Sequence, residues 1–142
     1  MKKYLSLLIL FFGCANVFGH GENKYGPNGG YIKMPGVFHT ELVFDKKDNS
    51  FQLFLLDIQF KNPTVKNSSV SATFEDKKIK INFKCNVSNA NHFKCQPDQK
   101  YESKSGKLRL EVVRDGAKGV AEYQFPLKLM EQKDPSNHSN HH

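Results

Sequence analysis

Apolar and polar residues alternate with a period of two through most of this chain, and the spacing expected of helices is almost absent. The clearest stretch sets Ile79, Ile81, Phe83 and Cys85 against Lys78, Lys80, Asn82 and Lys84. Similar runs extend from Val37 to Asp45, Phe51 to Ile58, Val70 to Glu75, Lys107 to Val113 and Gly119 to Leu129. Turn formers such as Lys46-Lys47-Asp48-Asn49, Glu75-Asp76-Lys77 and Asp115-Gly116 separate them. The pattern predicts an all-β domain, a single immunoglobulin-like β-sandwich of about seven strands.

The two ends of the chain read differently. Lys2 and Lys3, the apolar run from Tyr4 to Phe12 and the small-residue exit from Gly13 to Gly19 have the three zones of a cleaved signal peptide. The apolar run is far shorter than the roughly 20 residues of a membrane-spanning helix, so no membrane span is expected. Cleavage after Gly19 makes His20 the first mature residue; a rival cut before Cys14, at a weak lipobox, leaves a lipid-anchored cysteine instead. Residues 20–130 then form one domain. Residues 131–142 carry His138, His141 and His142 without apolar partners, which predicts a disordered tail whose histidines could hold metal loosely.

Removing 19 residues from the 142 leaves 123, enough for one core, and the formal charge falls from +7 to +5 with the loss of Lys2 and Lys3. The remaining lysines are scattered along the strands rather than gathered in a patch, so no nucleic-acid partner is expected. With Cys14 in the leader, Cys85 and Cys95 can pair and leave no thiol over, which suits a periplasmic or secreted protein. The absence of a C-x-x-C spacing makes this bridge a staple rather than a redox centre.

Candidate chemistry lies in the histidines. On the strand Val37 to Phe44, alternation puts Phe38, Thr40, Leu42 and Phe44 on one face and His39, Glu41 and Val43 on the other. Asp57, at the far end of the next strand, comes close to His39 along the hairpin; whether it shares that face depends on a register that a one-residue slip would reverse. A mature His20 offers a metal both its α-amine and its ring Nδ1, and an opposing His39 would complete the three-nitrogen arrangement called a histidine brace. Planar nitrogen donors suit Cu(II), with zinc or another divalent ion as alternatives. Glu41 or Asp57 could complete the site or orient His39. His92, inside the disulfide loop, is expected to be exposed.

Three segments, Gly26-Pro27-Asn28-Gly29-Gly30, His39-Thr40-Glu41-Leu42-Val43 and Leu53-Phe54-Leu55-Leu56-Asp57, resemble small exported β-domain proteins that accompany bacterial heavy-metal efflux systems, and are similar to a domain of efflux adaptor proteins. The resemblance implies handling of copper, zinc or related ions in the periplasm. It matches His39 and Glu41 to a His-x-Glu element and Asp57 to the acidic strand end. Those proteins often carry a histidine where Asn28 stands here.

Three functions follow as expectations: a metal-binding or metal-delivery protein; an interaction module of the cell envelope, docking on an efflux adaptor or another envelope protein without metal; and, third, a histidine-brace copper oxygenase. The lack of Trp and of an aromatic row for a sugar chain argues against the oxygenase. The chain has no G-x-S-x-G elbow and no H-E-x-x-H helix, so hydrolytic catalysis is not expected. The sequons at Asn67, Asn86 and Asn137 are read as chance.

Overall fold

The computed structural model describes residues 21–131 apart from residue 103. The proposed leader with Cys14, His20 and the His-bearing tail from residue 132 therefore lie outside the described residues. Eight strands follow in order: β1 (Tyr31–Lys33), β2 (His39–Asp45), β3 (Ser50–Leu56), β4 (Ser69–Glu75), β5 (Lys80–Ser88), β6 (His92–Pro97), β7 (Gly106–Arg114) and β8 (Ala117–Phe125). No helix occurs among the described residues.

The domain is all-β, as the alternation predicts, with eight strands where about seven were expected. The three residues of β1 are too few to show a period. His92, placed by sequence in the disulfide loop, instead starts the strand His92–Pro97, which is hairpinned to β5. All pairings are antiparallel and form one sheet in the order β1-β2-β3-β6-β5-β4-β7-β8. The meander β4-β5-β6 with β7 returning beside β4 is a Greek key. The sheet curls until its outer strands meet: the Tyr123 hydroxyl on β8 donates to the Tyr31 carbonyl on β1 at 3.2 Å and lies 2.7 Å from the Thr40 hydroxyl.

Inside the curl, Leu42, Leu53, Phe74, Ile81, Leu108 and Leu110 join one large core. Each such side chain contributes roughly 1.5–3 kcal/mol of hydrophobic stabilisation. Cys85 and Cys95 face each other across β5 and β6 and are bonded, closing a separation of ten residues. Such a closure stabilises by roughly 2–3 kcal/mol in the chain-entropy account.

A second, smaller cluster lies on the opposite face of β1, β2 and β3, where Ile32, Phe54 and Leu56 are buried with Val43 and Phe60 packed against them. Strand β3 is apolar on both faces, Leu53 and Leu55 turning to the large core and Phe54 and Leu56 to the small one. Two loops help to cover the small cluster: residues 21–30 ahead of β1 and residues 57–62 behind β3. Between these loops sit His39 and Glu41.

Candidate functional site

Strand β2 carries His39 and Glu41 two residues apart, so both project to the second face. His39 pairs with Leu56 of β3 and Glu41 with Phe54. Both polar side chains are fully enclosed, with 1 % and 0 % of their surface exposed.

Nδ1 of His39 lies 3.0 Å from the Asp57 carbonyl oxygen. A carbonyl only accepts, so this nitrogen carries a proton, and in the tautomer with that single ring proton the lone pair lies on Nε2. Nε2 is buried and has no hydrogen-bond partner among the described residues. Leaving such an atom unsatisfied costs about 1–3 kcal/mol, which calls for an explanation.

Phe60 covers the face of the imidazole, with ring centroids 4.1 Å apart and planes inclined by 19°. Its backbone has φ 62°, a left-handed conformation unusual for a bulky side chain. A turn holds it there. The Asp57 carboxylate accepts from the backbone N–H of Gln59 and of Lys61, both at 2.9 Å, and from the Asn62 amide at 2.8 Å. The Lys61 N–H bond is the main reason the Asp57 carboxyl sits below its usual range, with the Asn62 and Gln59 bonds adding to it.

The other loop is fixed by Glu41. Its Oε1 accepts from the backbone N–H of Asn28 at 2.6 Å and of Gly30 at 3.0 Å, and its Oε2 from the Asn28 side-chain amide at 2.8 Å. Gly26 closes this turn through its N–H to the Gly30 carbonyl at 2.8 Å, and a Cβ there would stand 2.5 Å from the Glu41 carboxyl carbon. Ahead of the turn the chain crosses Phe60: a Cβ on Gly21, which has φ 100°, would lie 2.6 Å from the ring. Gly21, Tyr25, Ile32 and Phe60 bound a shallow cleft at this point.

The sequence-predicted residues are thus partly brought together. His39, Glu41 and the main chain of Asp57 meet under the two loops, but the carboxylate of Asp57 turns into its own loop and that of Glu41 into the 26–30 turn. Register puts Leu56 opposite His39, so Asp57 follows the strand end on the other parity. Among the described residues no group of three or more His, Cys, Asp or Glu side chains could hold a metal. Any metal at His39 needs donors from elsewhere.

His92 is buried, with 5 % of its surface exposed, which corrects the expectation of an exposed loop residue. The hairpin turns it onto Phe54, ring centroids 4.7 Å apart, and its Nδ1 lies 2.7 Å from the Asn91 amide oxygen. Burial lowers its pKa. Sequence reasoning also missed Phe60 and Asn28. A lone aromatic inside the polar turn Asp57–Asn62 was the available signal for the first. No family model, curated protein or solved structure matches this chain.

Proposed function

We propose that the chain is an exported metal-binding protein of the periplasm that takes Cu(II) between a mature N-terminal His20 and Nε2 of His39. The observation that carries this reading is the bare, buried Nε2: an imidazole pinned through its other nitrogen to a carbonyl presents the remaining nitrogen as a metal ligand does. His20 directly precedes Gly21, which rests on the ring stacked over His39.

Glu41 and Asp57 support rather than ligate in this reading. Glu41 fastens the turn that directs the N-terminal segment across the site, and Asp57 holds His39. Bound copper would supply a redox-active cation in a nitrogen environment; the protein's part is to bind and orient it for storage, delivery or efflux. The Cys85–Cys95 bond suits an oxidising compartment. We also read the curled sheet as the immunoglobulin-like sandwich expected from sequence, with β1-β2-β3-β6 and β5-β4-β7-β8 as the two layers around the large core.

A second reading, a metal-free interaction module of the envelope, draws on Val37 and Ile58. They are 75 % and 60 % exposed and flank the adjoining ends of β2 and β3. N-terminal sequencing of the exported protein, followed by calorimetric copper titration of it and of His39→Ala, separates the two. A chain starting at His20 that binds one copper and loses it in His39→Ala supports the metal reading. A different first residue, or no copper binding, turns the assignment to the interaction module.

A further inference from the structure

We propose that Asp57 is the positioning residue of His39: its carboxylate shapes the turn that keeps its own carbonyl on Nδ1, and thereby fixes the tautomer that leaves Nε2 bare. The copper reading enters only the second readout below; the tautomer stands apart from it.

Six hydrogen bonds converge on this residue. The carboxylate draws in the N–H groups of Gln59 and Lys61 and the amide of Asn62, while the Asp57 N–H donates to the Lys61 carbonyl at 2.8 Å. The turn so closed points the Asp57 carbonyl back at β2, where it accepts from the Phe60 N–H at 3.1 Å and from His39 Nδ1. Two donors use both lone pairs of that oxygen. In water a histidine ring favours the tautomer protonated on Nε2, so the carbonyl must hold the opposite one against that preference. The same turn seats Phe60 on the imidazole face, leaving the Nε2 edge as the ring's available donor. Arg114 anchors the loop independently, through Nε to the Leu55 carbonyl at 3.1 Å and Nη2 to the Asn62 carbonyl at 2.8 Å. Loss of the Asp57 carboxylate should therefore loosen the turn without releasing the whole loop.

The test is a long-range proton–nitrogen NMR correlation on the His39 ring in the metal-free full chain, read for wild type, Asp57→Ala and Asp57→Asn. Wild type is expected to show Nδ1–H alone. Asp57→Asn, which keeps an oxygen for the two backbone donors, should retain that pattern, and Asp57→Ala should gain Nε2–H. Copper affinity should fall about tenfold or more in Asp57→Ala, as is usual when the partner that orients a ligand is removed. An Nε2–H pattern in wild type, or an unchanged Nδ1–H pattern in Asp57→Ala, overturns the proposal. Should Asp57→Ala fail to fold, Asn62→Gly removes one donor from the carboxylate at a position whose φ of 52° glycine accepts freely. It should show both tautomers, and a wild-type pattern there counts against the proposal equally. A tautomer that moves in Asp57→Ala while no form binds copper supports the positioning role and sinks the copper reading alone.

Discussion

Phe60 lies over the imidazole of His39 at a centroid distance of 4.1 Å while its own backbone is held at φ 62°. A left-handed bulky residue costs roughly 1–2 kcal/mol, and glycine would relieve it. Here the ring also roofs the cluster of Ile32, Phe54 and Leu56. Phe60→Gly should therefore give a net loss of about 1 kcal/mol or more, because the lost packing exceeds the relieved strain. Ala90 has nearly the same backbone, φ 57°, but is exposed in the β5–β6 turn, so Ala90→Gly should gain up to about 1 kcal/mol. Denaturant midpoints of the two variants should move in opposite directions.

Glu41 accepts from three donors in the 26–30 turn and is itself fully buried. Glu41→Ala strands those donors and should cost about 3 kcal/mol, whereas Glu41→Gln, which keeps one carbonyl oxygen, should cost about half as much. Thermal unfolding of both variants checks the order. Protection of the Asn28 and Gly30 amides from hydrogen exchange should fall with stability.

His92 makes the stability sensitive to mild acid. Burial puts its native pKa below the usual 6.5 of a free imidazole, so in the window between the two the unfolded chain binds more protons than the folded one. The contribution is fully present above the free imidazole range and is lost as the pH falls through 6.5 toward the lower native value. Unfolding midpoints measured from pH 8 down to pH 5 should drop, and His92→Gln should reduce the drop. An equal fall in wild type and variant would exclude His92 as its source.

The all-β class, most strand positions and the Cys85–Cys95 pair were legible because each shows locally, in alternation and in residue count. Strand β1 was not, since three residues show no period, and β6 was hidden by the polar residues around the Asn89–Asn91 turn. The run Leu53-Phe54-Leu55-Leu56 already signalled burial on both faces of β3, and with it a second cluster above His39. Asp57 was legible as a neighbour of His39. That its carbonyl makes the contact and its carboxylate serves the turn depends on backbone direction after the strand end, which residue type does not encode. The same holds for Asn28, whose amide reaches Glu41 only because the Gly26–Gly30 turn folds back over β2.

The central claim is that copper sits between the N-terminal residue and Nε2 of His39, and electron paramagnetic resonance of Cu(II) on the chain beginning at His20 tests it most directly. One equivalent of copper should give a single tetragonal signal with coupling to three nitrogens, and His39→Ala should lose one of those nitrogens. A spectrum unchanged by His39→Ala, or copper that remains free in solution, would contradict it.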